Sequence, residues 1–201
     1  MTTYIDSSVI IGQNCTIEPE CVIKGNSVLE DGCVIESFSY IVNGHIGKSA
    51  VIRSSRIIDS YVGEGTTVGP NAHLRENSRV GNFARIGNFV ELKNSTLGDY
   101  TKAAHLAYVG DATVGVNCNI GCGVIFVNYD GREKHRTSVG DNCFIGSNSN
   151  LIAPLTIASN CFIACGTTLT QDLANYDFAI GRPYVMIKPN RAGKYLKIPP
   201  S

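Results

Sequence analysis

The 201-residue chain is 43% hydrophobic and 17% charged, a composition that supports a buried core and excludes a disordered chain. Its 17 basic and 17 acidic residues cancel, which argues against a broad basic surface for nucleic acid or an anionic membrane. The N-terminus lacks the regions of a signal peptide, and no segment has the roughly 20 apolar residues of a membrane span. We therefore expect a cytoplasmic protein whose 8 cysteines are reduced.

A repeat of aliphatic residues at every sixth position runs through most of the chain. The repeated positions include Ile5, Ile11, Ile17, Ile23, Leu29, Ile35, Ile41, Val62, Val68, Leu74, Val80, Ile86, Leu92, Val139, Ile145, Leu151, Ile157, Ile163 and Leu169. Glycine often follows the aliphatic residue, which suits a turn beside a short strand. Three such steps make a triangular coil, and coils stacked about 4.8 Å apart bury the aliphatic residues in one column. The repeat therefore predicts an all-β parallel solenoid of about nine coils.

The six-residue pattern is typical of left-handed parallel β-helices. The handedness comes from that resemblance alone, because most parallel crossovers are right-handed. We assign residues 1–170 to the β-helix, with an inserted loop at 127–138, and residues 171–201 to a C-terminal arm. Four prolines argue against a long helix in this arm. They are Pro183, Pro189, Pro199 and Pro200.

Six of the cysteines share one position of the repeat, four residues after an aliphatic residue. They are Cys15, Cys21, Cys33, Cys118, Cys143 and Cys161. Alanine, serine or threonine holds this position elsewhere, so we interpret it as a packing position where a free thiol acts as a small hydrophobe. Cys143 and Cys161 would stack directly, but a disulfide between them is not expected in a reducing cell.

Two cations, Arg75 and Lys93, each follow an aliphatic position and are separated by one predicted coil. Adjacent coils would place them about 5 Å apart, where like charges repel unless an anion separates them. Two interpretations stay open. The side chains splay apart into solvent, or they bind a phosphate together with Lys134 from the inserted loop.

His105 lies between two shortened steps of the repeat, at 92–97 and 109–114, where a regular solenoid is broken. A histidine at such a place is either a hydrogen-bonded structural residue or a general base. None of the intervals between successive histidines is a whole number of coils, so the four side chains do not stack as metal ligands within one chain. We expect no metal in the chemistry, although ligands shared between subunits would escape this argument. The inserted loop itself is either a tolerated surface insertion or part of the site.

Four segments carry a resemblance to a known family. They are 80–93, Lys102–Asp111, Asn119–Gly123 and Asn128–Gly131. These segments are similar to the acetyltransferase domain of the bacterial bifunctional enzyme that makes UDP-N-acetylglucosamine, and the resemblance covers nearly the whole chain. It implies that acetyl-CoA donates its acetyl group to the 2-amine of glucosamine 1-phosphate, giving N-acetylglucosamine 1-phosphate. It also implies sites formed between the subunits of a homotrimer.

The same resemblance assigns roles to individual residues. The sugar phosphate would be bound by Arg75, Lys93, Tyr108, Asn119 and Lys134. His105 falls on the general base. Acetyl-CoA would be contacted by Cys122, Asn128, Tyr129, Ser147, Cys165 and Arg182. The Asn128 amide and the backbone N–H of Cys122 are the hypothesised donors to the oxyanion of the tetrahedral intermediate.

The chain also departs from the family pattern. It begins directly in the repeat, so we expect any uridyltransferase activity to come from another polypeptide. Cys122 and Cys165 replace what is usually alanine, and Glu76 stands where a proline usually follows the arginine. Two alternatives stay open: another amino sugar, free or nucleotide-linked, as acceptor, or a non-catalytic β-helix that scaffolds a separate uridyltransferase. The presence of Arg75 and Lys93 favours a small sugar phosphate.

Overall fold

The computed structural model describes residues 2–195 as a stack of short parallel strands with three faces. The first face contains Tyr4–Ile5, Val22–Lys24, Tyr40–Val42, Arg56–Ile58, His73–Arg75, the ends of Arg85–Lys93 and Lys102–Gly110, Ile125–Val127, Asn150–Ile152 and Thr168–Leu169. The second face contains Ile10–Ile11, Val28–Leu29, His45–Ile46, Tyr61–Val62, Arg79–Val80, Thr96–Leu97, Ala112–Val114, Thr137–Val139 and Leu155–Ile157. The third face contains Thr16–Ile17, Val34–Ile35, Val51–Ile52, Thr67–Val68, the starts of the two long strands, Asn119–Ile120, Phe144–Ile145, Phe162–Ile163 and Phe178–Ala179.

The predicted parallel solenoid is confirmed, but it has about ten turns rather than nine. The first face already has ten strands, the last of them Thr168–Leu169 within the repeat, and Phe178–Ala179 pairs with Phe162–Ile163 to give the third face its tenth strand after the repeat has ended. The ladder therefore continues past residue 170, where the repeat places the end of the β-helix. A rung needs only two residues in strand conformation, so a segment without the repeat can still complete one.

The aliphatic residues of the repeat form the predicted interior column. Ile23, Ile35, Ile41, Ile52 and Leu74, among others, have no solvent-exposed area. Every strand after Ile10–Ile11 contributes an inward residue to this single core, because side chains alternate between the two sides of a strand, whereas Ile5 and Ile11 of the open first coil are 39% and 42% exposed. The column holds the outward residues of successive rungs in register, and the site depends on that register.

The cysteines of the packing position are free thiols, and all except half-buried Cys15 are buried. Burial raises the pKa of the Cys33 thiol to about 12 and that of Cys118 to about 11. Thiols with such pKa values stay protonated and poorly nucleophilic at neutral pH. They act as small core residues, as the repeat predicts.

Two long strands, Arg85–Lys93 and Lys102–Gly110, pass around the corner between the third and first faces without interruption. Each bends at a residue with positive φ, Phe89 at 57° and Leu106 at 28°. The shortened steps of the repeat follow these strands. The regular coil is thus modified at the corner where His105 lies.

The C-terminal segment leaves the stack after Phe178–Ala179. Its described part is exposed beyond residue 180 and contains a single 3₁₀ turn, Ala192–Lys194. Pro183 and Pro189 lie in this extended part, whereas Pro199 and Pro200 lie outside the described residues. Within residues 2–195, no helix has the length and apolar character needed to cross a membrane.

Candidate active site

Three cations meet at the end of the first face. Arg75 and Lys93 pair in register on adjacent rungs, as their spacing predicts. Lys134 of the inserted loop lies beside Lys93, and the charge of each side chain acts on the other. Lys93 is only 5% exposed, whereas Lys134 is exposed. We call Arg75, Lys93 and Lys134 the cation cluster.

Carboxylates of the chain itself neutralise this cluster. Arg75 donates from Nε to Glu91 at 2.7 Å and from Nη1 to Glu76. Lys93 Nζ donates to both oxygens of Asp111, at 3.2 and 3.1 Å, and lies 3.4 Å from Glu76. The two cations therefore do not splay into solvent, because internal anions replace water around them. The stacking argument from the sequence did not include these three carboxylates.

The surroundings raise the pKa values of Arg75 and Lys93 and lower the pKa of Lys134. Burial disfavours the charge of Arg75, but the hydrogen bond and charge of Glu91 outweigh it and raise the pKa. For Lys93, burial is again opposed, here by contacts with Lys134 and Asp111, and the pKa is raised. The pKa of Lys134 is lowered, first by its hydrogen bond with Lys93 and then by the Lys93 charge. Lys93 thus keeps its proton more firmly than Lys134 does.

A buried hydrogen-bond network links the cluster to Asn128. Asp111 accepts from Lys93, from Asn94 at 2.7 Å and from the Asn128 amide. Burial would raise the pKa of Asp111, but these donors outweigh it and lower the pKa. Asn128 Nδ2 also lies 3.4 Å from the Tyr108 hydroxyl. The Asn128 amide nitrogen therefore faces the cation cluster.

The inserted loop has its own internal structure, which positions Lys134. Asp130 accepts two backbone N–H bonds of 2.7 Å, and its other oxygen lies 2.8 Å from the His135 ring. The backbone N–H of Glu133, followed by His135, holds the pKa of Asp130 well below its usual range. Tyr129 and Lys134 face each other in an antiparallel bridge. The loop is a turn closed on itself and pinned beside the first face.

His105 lies on the second long strand, in register with Asn88 of the first. The histidine is exposed, and it precedes Leu106, whose backbone carbonyl accepts a 2.6 Å hydrogen bond from Gly123. The bend at Leu106 thus holds the histidine at the corner between the third and first faces. Among the described residues, no three His, Cys, Asp or Glu side chains are grouped so that they could share a metal ion.

Cys122, Ser147 and Cys165 continue this corner on the following rungs, and we call them the corner column. Backbone hydrogen bonds join these corners from rung to rung: Gly123 donates to Leu106 at 2.6 Å, Asn148 to Cys122 at 2.8 Å, and Gly166 to Ser147 at 2.8 Å. All three residues of the column are exposed. Arg182 Nη2 lies 3.4 Å from the Cys165 sulfur at the top of the column. The stack thus brings together four of the residues predicted to contact acetyl-CoA.

Asn119 is separated from the other residues predicted to bind the sugar. It lies on the third face, between Lys102 and Phe144 in the ladder. The cation cluster and Tyr108 belong to the first face, beyond the His105 corner. One chain by itself therefore does not bring Asn119 to the cluster.

The sequence contained a signal for two of the three missed carboxylates. Asp111 follows Lys93 by one coil length, the same interval that predicts the stacking of Arg75 and Lys93. Glu91 is recognisable as the outward residue two positions before Lys93 on one strand. The position of Glu76 carries no such signal, because it depends on the backbone conformation of the corner.

The stacked parallel strands form a left-handed parallel β-helix. Solved UDP-N-acetylglucosamine acyltransferases share the fold. The Arabidopsis enzyme has a TM-score of 0.57 at 16% identity, over 88% of this chain and 69% of that one. The Campylobacter jejuni enzyme has a TM-score of 0.53 at 17% identity, over 87% and 70%. At these identities the likeness shows the fold alone.

The chain belongs to the bacterial transferase hexapeptide (six repeats) family, whose model matches residues 8–43, 59–94 and 136–171. It is 49% identical over 181 residues to the bifunctional protein GlmU of Clostridium botulinum (strain Kyoto / Type A2), covering 90% of this chain and 40% of that protein. It is 49% identical over 187 residues to GlmU of Clostridioides difficile (strain 630), covering 93% and 41%. The chain thus spans about two fifths of the length of the curated relatives that it matches.

Proposed function

We propose that this protein transfers the acetyl group of acetyl-CoA to the 2-amine of glucosamine 1-phosphate. The observation that carries the proposal is the cation cluster, in which a nearly buried lysine stacks beside an arginine on the face that adjoins the His105 corner. Such a cluster suits a phosphate, and the histidine suits a nearby ammonium that must lose a proton. The resemblance to the acetyltransferase domain of the bifunctional enzyme supports the same acceptor and donor.

In the proposed mechanism, His105 takes the proton from the ammonium of the acceptor, and the free amine attacks the thioester carbonyl. The oxyanion that forms needs donors already in place. In the described part of the chain, the backbone N–H of Cys122 has no hydrogen-bond acceptor, so it is free for this role. The amide of Asn128 would contribute the hydrogen that now contacts the Tyr108 hydroxyl at 3.4 Å, because its other hydrogen is donated to Asp111. As the tetrahedral intermediate collapses, the C–S bond breaks and the thiolate of CoA leaves, taking up the second proton that the attacking nitrogen loses; no step is assigned to a metal.

The direct test mixes purified protein with acetyl-CoA and glucosamine 1-phosphate and detects the product by mass. Mass detection avoids thiol reagents, which would also react with the 8 cysteines. N-acetylglucosamine 1-phosphate is the expected product. If product forms only from a nucleotide-linked amino sugar, that sugar is the acceptor instead of glucosamine 1-phosphate. No product from any amino sugar, with no binding of acetyl-CoA, would support a scaffold instead. We place the reaction in the cytoplasm, where acetyl-CoA is available.

We propose that the active assembly is a homotrimer with each site shared between subunits. The separation of Asn119 from the cation cluster supports this, as does the exposure of the C-terminal arm. The arm presents the apolar side chains of Val185, Met186 and Ile187 to solvent, at 86%, 79% and 81% exposure. An apolar strip of this kind is typical of a surface that is covered in the assembly.

Charged residues in the arm are expected to separate the subunits. Val185→Asp with Ile187→Asp should shift the sedimenting mass from three times 21.6 kDa to the monomer and lower kcat at least about 10-fold. Sedimentation and activity measured over the same dilution series check this. The control, Lys188→Asp, also places an aspartate in the arm, but it replaces a charged side chain and removes no apolar contact between subunits. A dilute monomer with full activity would contradict shared sites.

Sugar-phosphate binding should weaken at alkaline pH, because Lys134 loses its positive charge there. Its lowered pKa means that it loses its charge at a lower pH than an ordinary lysine, so the KM for glucosamine 1-phosphate should rise about 3- to 10-fold as pH rises through that pKa. Arginine stays charged throughout, so Lys134→Arg should remove this rise. KM measured from pH 7 to pH 9.5 in both proteins checks this. The amine of the substrate titrates equally in the two, so parallel profiles would contradict the assignment.

The corner column should be protected by the coenzyme. Cys122 and Cys165 are the two exposed cysteines, and both lie in the column assigned to acetyl-CoA. Saturating acetyl-CoA should slow their alkylation about 10-fold or more, because a bound pantetheine excludes the reagent. Mass mapping of alkylated peptides measures each site separately. Half-buried Cys15, on the first coil, is the internal control and should react at the same rate with and without coenzyme.

A further inference from the structure

Glu76 occupies the space between the cations where a substrate phosphate would bind. Its carboxylate accepts from Arg75 Nη1 through one oxygen, and the other oxygen lies 3.4 Å from Lys93 Nζ. The charge of Glu76 also acts on Lys134. The carboxylate therefore contacts two members of the cation cluster and interacts electrostatically with the third.

Glu76 differs from the other two carboxylates of the cluster in how it is held. Asp111 is 7% exposed and is fixed by three donor side chains. Glu91 lies along the first face and holds the Arg75 Nε. Glu76 is 51% exposed, and among residues 2–195 its carboxylate is paired with Arg75 and Lys93 alone. A carboxylate held only by the cations at a solvent-exposed corner can be exchanged for another anion.

The backbone explains how the carboxylate reaches this position. Glu76 and Asn77 both have left-handed φ angles, 53° and 62°. This double left-handed corner turns the Glu76 side chain back over Arg75 and Lys93. Proline has a fixed negative φ and could not occupy position 76 in this conformation. The corner that carries a glutamate is thus incompatible with the residue that usually follows this arginine.

We propose that Glu76 is a specificity-determining residue, an internal anion that occupies the phosphate position between Arg75 and Lys93 and is displaced by the phosphate of the substrate. This proposal rests on the proposed function. A phosphate monoester is largely dianionic at pH 7 and can replace a single carboxylate between the cations. An amino sugar without a phosphate cannot, because it carries no anion to take the place of the carboxylate. Glu76 therefore raises the KM for the phosphorylated acceptor and excludes acceptors without a phosphate.

The test compares the wild type with Glu76→Gln, which keeps the size of the side chain and removes its charge. The variant should show a KM for glucosamine 1-phosphate and an inhibition constant for inorganic phosphate that are each lowered about 3- to 10-fold. Its kcat should stay within about twofold, because the chemistry at the amine is unchanged. Glu76→Asn is the second variant, since asparagine tolerates the left-handed conformation and keeps the test available if the first does not fold.

The matched control is Glu20→Gln. Glu20 is also an exposed glutamate with a left-handed φ, 64°, but it accepts from Thr2 on the first coil and lies in none of the ion pairs of the described residues. This change should leave both constants as in the wild type. If the Glu76→Gln enzyme is active and both its KM and its inhibition constant for phosphate are unchanged, the inference about Glu76 is overturned and the proposed function stands.

A separate binding measurement distinguishes this failure from failure of the proposed function. Thermal unfolding with added inorganic phosphate requires no turnover, and the phosphate-dependent rise in melting temperature should be larger in Glu76→Gln than in the wild type. If no amino sugar phosphate is acetylated but this difference persists, the reaction is wrong and the anion position stands. If the rise is equal in the two proteins, Glu76 does not compete with phosphate.

Discussion

Replacing His105 with alanine is expected to lower kcat about 10²- to 10⁴-fold, the usual contribution of a general base. The acceptor is an ammonium at neutral pH and must lose a proton before it can attack the thioester. The exposed imidazole at the corner, in register with Asn88 and next to the corner column, is the group placed to take it. KM for glucosamine 1-phosphate should change little, because the cation cluster is untouched.

Steady-state kinetics of His105→Ala beside His45→Ala measure this effect. His45 is the matched control because it is also an outward histidine of this solenoid. It is hydrogen-bonded to Glu30, and the pair lies on rungs distant from His105. That change should leave kcat within about twofold. Since a core residue is not altered, the strand ladder should remain intact, which circular dichroism can verify. A folded His105→Ala enzyme with wild-type kcat would show that His105 is not the general base.

Replacing Lys93 with alanine is expected to cost about 3–5 kcal/mol of the free energy of unfolding, besides weakening sugar-phosphate binding. Lys93 and Asp111 are a buried pair, with side chains 6% and 7% exposed. Removal of the lysine leaves the Asp111 carboxylate buried beside two amides and without a counter-ion. Urea unfolding at one fixed protein concentration measures the loss, since an oligomer's stability depends on concentration.

A double-mutant cycle separates the interaction energy of the Lys93–Asp111 pair from the effects of removing each side chain alone. Asp111→Asn should also destabilise, whereas Lys93→Met combined with Asp111→Asn should recover most of the loss, because no unpaired charge then remains. The folded pKa of Asp111 lies below its unfolded value, so the pair stabilises the protein at neutral pH and this contribution fades as pH falls below about 4. Equal stability of wild type and Lys93→Ala at pH 7 would refute the role of the pair.

Lys134→Ala distinguishes binding from stability in the same cluster. Lys134 is exposed, so its removal should raise the KM for glucosamine 1-phosphate while leaving the free energy of unfolding within about 0.5 kcal/mol. The two lysines would then have similar effects on the substrate and very different effects on the fold. That contrast follows from burial alone, because both carry one charge toward the same anion.

Sequence periodicity determined the architecture of this protein. The period of six sets which side chains enter the core, and the length of one coil sets which outward residues become neighbours on adjacent rungs. The solenoid and the pairing of Arg75 with Lys93 could therefore be predicted without coordinates. Both are local consequences of a repeating chain. The last strand of the third face escaped this reasoning because Phe178–Ala179 lies outside the repeat and joins the sheet only by pairing.

Only the tertiary structure decided what surrounds the predicted site residues. The inserted loop has no period, so the position of Lys134 beside Lys93 follows from the hydrogen bonds of Asp130 and not from spacing. Likewise, the corner of the triangle places Asn119 on another face from the cation cluster, and the left-handed conformation at Glu76 turns its carboxylate over the cations. A repeat specifies distances along the stack, because these are multiples of the strand spacing. Side-chain direction at corners and in loops depends on backbone torsions and on partners that the repeat does not encode.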